Sequence, residues 1–131
     1  MKKRFSFLYV SRWCGLVLLL FGFTAAYAHH SGNMFDREQA VELTGTVKEF
    51  QWTSPHIWIQ VLVPDEEGII EEWSIEGGVP NRLFRSGWRP TSFKPGDIVK
   101  IVAYPMRDGA KAGLFVGAEF IDGSTLGRFP E

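Results

Sequence analysis

Apolar and polar residues alternate through the middle of the chain, and a period of two is typical of β-strands with one buried face. The apolar residues fall at odd positions from Val41 onward, but Phe50 and Trp52 fall at even positions. One extra residue near Lys48-Glu49 would restore the parity, so the pattern predicts a β-bulge in a long, bent first strand. Four further strands are predicted between turn-forming residues: 56–63, 69–75, 98–104 and 114–121.

The period changes after residues 77–78, which are both glycine. Pro80 suits the first turn of a helix, Leu83 belongs to its apolar edge and Gly87 ends it, so one short helix is predicted. The chain is therefore expected to be all-β with one small helix. A bent first strand and a helix between strands three and four are typical of the OB-fold, a five-stranded Greek-key barrel. Another small β-barrel or sandwich with five strands is the alternative.

The first 28 residues have the three zones of a cleavable secretory signal peptide. Basic residues at 2–4 precede an apolar run at 16–23, and Ala-Tyr-Ala at 26–28 supplies the cleavage signature. Because a membrane-spanning helix needs about 20 apolar residues, we expect cleavage rather than a stable membrane anchor. We predict a periplasmic protein with four parts: a signal peptide at 1–28, an N-terminal arm at 29–40, an OB-like barrel at 41–122 and a C-terminal tail at 123–131.

Cleavage would change both the charge and the cysteine content. The full sequence has 14 basic and 15 acidic residues, and four of the basic ones lie at positions 2, 3, 4 and 12 of the signal peptide. Ten basic residues then remain against 15 acidic ones, a net charge of −5. This charge argues against nucleic acid and against an anionic membrane surface as partners. The single cysteine, Cys14, is also removed, which excludes an internal disulfide and thiol catalysis in the mature chain.

Several short motifs together resemble a family of small exported bacterial proteins of unknown function. These motifs are His29-His30-Ser31, Met34-Phe35-Asp36, the stretch 43–52, Trp52-x-x-Pro55-His56, the stretch 72–78, Pro80-Asn81, Gly87-Trp88 and the stretch 94–97. The resemblance implies a periplasmic location and brings no assigned activity. This sequence departs from the pattern at Ser54, where Asn is expected, and at Gly32-Asn33, where a more apolar pair is expected.

The three histidines are the leading candidates for a site. Cleavage would expose the amine of His29, and an α-amino group with a pKa near ~7.7–8.0 can bind metal at neutral pH. Nitrogen ligands favour Cu(II) among the divalent first-row metals. We therefore predict copper binding by His29 with His30 or His56, in an arrangement similar to the histidine brace of periplasmic copper carriers and copper-dependent polysaccharide oxygenases. A disordered arm with no bound metal is the competing interpretation.

The reach of the arm limits this hypothesis. A straight first strand would place His56 about 36 Å from Val41. The arm spans about 40 Å when fully extended, so it would have to double back along the barrel unless the first strand is strongly coiled. A site with His29 and His30 alone, or one shared between two chains, avoids this constraint.

A strand face with large aromatic residues is the alternative site. Trp58, Trp73 and Gln60 are the predicted ligand-binding residues for a peptide, a glycan or a periplasmic partner protein, because OB barrels commonly bind ligands on a strand face. Trp88 is a further candidate for the same aromatic platform. Burial in the core is the competing interpretation for each tryptophan, since large aromatic side chains are usually buried.

No catalytic residues are predicted. Glu71 and Glu72 point to opposite faces of a strand, so they do not form an acid–base pair. Ser31 and Ser54 lack the surrounding motif of a nucleophile elbow. We expect a protein that is not an enzyme, and a purely structural subunit remains a third possibility.

Overall fold

A computed structural model describes residues 34–128 of the 131-residue chain. The predicted signal peptide and the histidines His29 and His30 lie outside the described residues. The elements are β1 (Val41–Gln51), β2 (Trp58–Pro64), β3 (Ile70–Glu76), α1 (Pro80–Arg85), β4 (Ile98–Pro105), β5 (Ala112–Phe120) and β6 (Thr125–Gly127).

Five strands close into a barrel. Neighbouring strands follow the order β3-β2-β1-β4-β5-β6, and β3 also pairs with β5 in parallel, which closes the ring. All other pairings are antiparallel. The helix α1 lies in the chain between β3 and β4. The predicted OB-like Greek-key barrel, with one short helix between its third and fourth strands, is confirmed.

The first strand is bent by the predicted bulge. Val47 pairs with Val61, but the next pair joins Glu49 to Gln60, so Lys48 is the extra residue. Gly45 allows β1 to approach β2 closely, since a Cβ atom at this position would lie 2.3 Å from the carbonyl oxygen of Leu62.

Alternate residues of the second strand are buried, as the period of two predicts, whereas some strand ends differ from the prediction. Ile57, Ile59 and Val61 are fully buried. β3 begins at Ile70 rather than Ile69, because the Asp65 carboxylate accepts the backbone N–H of Ile69 and holds it in the turn. β2 begins at Trp58, two residues later than predicted.

Two segments outside the predicted barrel bounds also pair with it. Phe35, which was assigned to the arm, is buried and forms a β-bridge with Met106. The predicted C-terminal tail contains the strand β6, which pairs with β5. Three residues are too few to show a period, so the sequence pattern gave no sign of β6.

An aromatic cluster packs around Phe93 in the core. Phe93 is 2% exposed, and its ring centroid lies 5.2–6.4 Å from four others. These four rings belong to Phe50, Trp88, Phe115 and Phe120. The connection between β3 and β4 supplies both Trp88 and Phe93, so a segment without regular strand structure provides the centre of the cluster.

Within residues 34–128, no helix has both the length and the apolar character that a transmembrane span requires.

Replacing Phe93 with alanine should lower the free energy of unfolding by about 3–5 kcal/mol, because the large ring is fully enclosed and its loss leaves a cavity. Chemical denaturation followed by circular dichroism measures this change. Phe84→Ala is the matched control, because Phe84 is 53% exposed and its loss should change stability by about 0.5 kcal/mol or less. Equal effects of the two substitutions would contradict the central role of Phe93.

Candidate functional site

His56 lies in the connection between β1 and β2. Its carbonyl oxygen accepts a hydrogen bond from the Thr53 hydroxyl at 3.0 Å. The next residue, Ile57, exchanges backbone hydrogen bonds with the segment after β3: its N–H donates to Gly78 at 3.2 Å, and its carbonyl accepts from Gly77 at 2.9 Å. A Cβ atom on Gly77 would lie 2.4 Å from the Ile57 side chain, so glycine permits this close approach. The connection is thus held against the end of β3.

This approach brings the His56 ring to the carboxylate of Glu76, the last residue of β3. Nδ1 of His56 contacts Oε1 of Glu76. The side chain of His56 is 36% exposed and that of Glu76 is 14% exposed, so the carboxylate lies deeper than the ring. A carboxylate that accepts a hydrogen bond from one ring N–H fixes the ring orientation and leaves the lone pair of Nε2 for another ligand.

Two of the predicted ligand-binding residues share this surface. Trp58 is paired with Glu76 across the β2–β3 ladder, and Gln60 is paired with Ser74. Side chains of directly opposed residues lie on the same face of a sheet. All five residues, including His56, are partly exposed. We call this surface, formed by His56, Trp58, Gln60, Ser74 and Glu76, the His56 face.

Trp73 lies on the other side of the sheet. It is paired with Val61, which is fully buried, and its side chain packs against the core. The Lys111 ammonium lies 5.4 Å from the centre of its ring. The structure therefore does not bring Trp73 together with Trp58. The sequence already indicates this orientation, since Trp73 lies two residues from the apolar Ile75 and therefore on the same face of β3.

Trp88 also lies away from the His56 face. It is 4% exposed and forms an edge contact with Phe115 at 5.1 Å. Burial in the core accounts for this tryptophan.

The described part of the chain offers one metal-binding nitrogen at this surface rather than a complete site. Within residues 34–128, no group of three or more His, Cys, Asp or Glu side chains could hold a metal ion. The other two predicted ligands, His29 and His30, lie outside the described residues.

The closed barrel gives the arm a route around its surface toward the His56 face. A line of neighbouring residues runs around the barrel from Phe35 through Met106, Ala112 and Ser74 to Gln60. The line crosses four inter-strand spacings, or about 19 Å along the surface, and ends four residues along the chain from His56. The estimate of about 36 Å assumed a straight first strand, and the strand is bulged and coiled instead.

The glutamates of β3 are not arranged as a catalytic pair. Glu71 pairs with Lys111 at 2.8 Å, and Glu72 pairs with Lys48 at 2.6 Å. Glu72 and Glu76 share a face, but four strand positions separate their backbones by about 13 Å, more than the carboxylate spacing of glycosidases.

A polar groove elsewhere on the barrel is lined by Asp97 and Asp122, whose carboxylates form hydrogen bonds within turns. Asp97 accepts the backbone N–H of Lys94 at 2.8 Å. Asp122 accepts the hydroxyl of Ser124 at 2.6 Å and its backbone N–H at 2.9 Å. These hydrogen bonds, led by the one from the hydroxyl, lower the pKa of Asp122 below its ordinary value. Both carboxylates are engaged locally, so the groove carries no evident chemistry of its own.

Residues 18–116 match a family of unknown function, DUF6152. The chain belongs to this family. No curated protein and no solved structure matches the chain significantly. Membership confirms the resemblance to a family of unknown function, while the motifs and the export remain predictions. The matched range includes every residue of the His56 face.

In this DUF6152 protein, the neutral His56 ring should carry its proton on Nδ1, because Glu76 accepts a hydrogen bond there. Long-range ¹H–¹⁵N NMR spectra of histidine-labelled protein report the tautomer directly. Glu76→Ala should shift the proton toward Nε2. Glu72→Ala is the control, since Glu72 lies on the same face and pairs with Lys48 instead. A wild-type ring protonated on Nε2 would show that the carboxylate does not orient His56.

Proposed function

We propose that this protein is an exported, non-enzymatic periplasmic protein that binds one copper ion. The amine and imidazole of His29 chelate the ion, and His30 or His56 supplies a further nitrogen. The proposal assigns the copper to the processed chain, because the amine of His29 becomes a ligand only after cleavage at Ala28.

The orientation of His56 is the observation that supports this proposal most strongly. Histidine ligands of metal ions almost always donate their second ring N–H to a carboxylate, a carbonyl or a water molecule. The contact between His56 and Glu76 has this form, and it leaves Nε2 unoccupied by described side chains. Such a ring binds an ion without first losing rotational freedom, which favours binding.

The surroundings of His56 fit a bound cation and fit poorly with an anionic ligand. Glu76 contributes a negative charge beside the ring. The net charge predicted for the processed chain is also negative. Since imidazole and amine nitrogens favour Cu(II), copper is the divalent first-row ion that this ligand set selects.

Calorimetric titration of Cu(II) into protein whose His29 terminus is verified by mass spectrometry tests the proposal. Binding should be at least ten-fold weaker in a variant with one extra residue before His29, because the amine is then displaced. His56→Ala should weaken binding if His56 is the further ligand. Equal binding by the native and extended proteins, or no binding below micromolar free copper, would refute the N-terminal site.

Binding of a peptide, a glycan or a partner protein across the His56 face is the second candidate. The supporting observation is that Trp58 and Gln60 are partly exposed and lie side by side on the outer face of β2. An aromatic ring beside an amide is a common combination in recognition surfaces, because one supplies apolar area and the other supplies hydrogen bonds.

Trp58→Ala separates the two candidates. If the His56 face recognises a partner, this substitution should abolish capture of that partner from a periplasmic extract and leave copper uptake unchanged. Trp73→Phe is the matched control, because Trp73 lies on the opposite side of the sheet and should not affect capture. Undiminished capture by the Trp58 variant would exclude Trp58 as a recognition residue.

A further inference from the structure

The connection between β3 and β4 carries positive charge and no negative charge up to Asp97, its last residue. Residues 77–96 include three arginines and one lysine and no acidic residue, although the chain as a whole has more acidic than basic residues. Arg82, Arg85 and Arg89 are exposed, as are the apolar side chains of Val79 and Phe84. We call the surface formed by these five residues the arginine face.

The arginine face presents an aromatic side chain between unpaired charges. Within residues 34–128, neither Arg82 nor Arg85 has a carboxylate at salt-bridge distance. The guanidinium of Arg89 lies 4.2 Å from the ring centre of Phe84 and donates to the Phe84 carbonyl at 3.0 Å. These contacts hold the Phe84 ring in place, and 53% of the residue is exposed.

The outer surface of the barrel has an apolar groove, and the hairpin loop that joins two of its lining residues, Pro64 and Ile70, carries the opposite charge. Its volume is about 420 Å³, and its lining residues are Thr44, Gly45, Thr46, Leu62, Pro64, Ile70 and Ile98. Ile70 is 59% exposed and Ile98 is 50% exposed. The groove is large enough to accept an aromatic side chain.

Two glutamates lie in the hairpin loop beside this groove. Glu66 and Glu67 are exposed, and within residues 34–128 neither forms a salt bridge. The neighbouring Asp65 is engaged by the backbone N–H groups of Glu67 and Ile69, so it shapes the turn. We call the groove together with Glu66 and Glu67 the hairpin groove.

The two surfaces lie at opposite ends of the same strand. The hairpin groove includes Ile70, where β3 begins, and the arginine face begins at Val79, beyond Glu76 at its end. The length of β3 separates them by about 20 Å, so they do not meet within one molecule. Each surface nevertheless has an apolar centre, and the charges beside the two centres are of opposite sign.

We propose that the arginine face of one copy docks into the hairpin groove of a second copy, with the Phe84 ring in the groove and Arg82 and Arg85 beside Glu66 and Glu67. The occupant is another copy of this chain because both complementary surfaces belong to it. An exposed aromatic ring and rim charges of opposite sign are the usual elements of a specific contact.

The contact is heterologous, since two different patches meet. Heterologous contacts propagate from head to tail, so the association produces dimers and then longer oligomers. Exposed ion pairs contribute modestly and are screened by salt. We therefore expect weak association that increases with protein concentration and decreases at high ionic strength.

Sedimentation velocity of the exported, processed protein tests the association. The weight-average sedimentation coefficient should rise with concentration at low salt and fall toward the monomer value in 0.5 M NaCl. Phe84→Ala should abolish the rise while leaving the circular dichroism spectrum unchanged. A monomer at every concentration and salt level would overturn the proposal.

Charge reversal identifies the surfaces. Glu66→Lys/Glu67→Lys and Arg82→Glu/Arg85→Glu should each be monomeric alone, because like charges then meet at the contact. A mixture of the two should associate again, since the reversed surfaces are complementary to each other. Glu38→Lys/Glu49→Lys is the control for net charge and should associate at least as strongly as the native protein.

The mixture of the two charge-reversal variants distinguishes docking from a general effect of net charge. Restored association supports docking between the two surfaces. If each variant is monomeric and the mixture also stays monomeric, or if the control pair loses association as the Glu66/Glu67 pair does, net charge rather than docking governs the behaviour and the proposal is wrong.

Discussion

The barrel depends on the coiling of one long strand. β1 pairs with β4 from Val41 to Thr46 and with β2 from Thr46 to Gln51. A flat strand would leave the sheet open, so β1 has to bend for β3 to reach β5 and close the ring. The extra residue at Lys48 supplies a local bend. Gly45 supplies room, because any larger residue would meet the backbone of β2.

The pairing of β2 with β3 creates the His56 face. Hydrogen bonds from Gly77 and to Gly78 extend this pairing and fasten the β1–β2 connection to the end of β3. The imidazole and the carboxylate of Glu76 therefore meet although 20 residues separate them in sequence. Because side chains alternate along a strand, a shift of one residue in β3 would turn Glu76 inward and Trp73 outward. The register of a single strand thus decides which chemical groups this surface presents.

The aromatic residues divide into an internal group and a few exposed ones. Phe93 and its four neighbours pack together, and their burial helps to stabilise a processed chain that is predicted to lack disulfides. Phe84, from the same connection, is left outside with the arginines. The segment that completes the core therefore also carries the arginine face, so changes that loosen the core are expected to alter that surface as well.

The sequence by itself determined the strands, the bulge, the short helix and their order, because alternation, glycine and proline act over a few neighbouring residues. It also indicated His56 and Trp58 as residues of interest. Only the tertiary structure decided that Glu76 orients His56 and that Phe35 and β6 join the sheet. These features depend on which strands become neighbours and in which register, and both are fixed when the barrel closes.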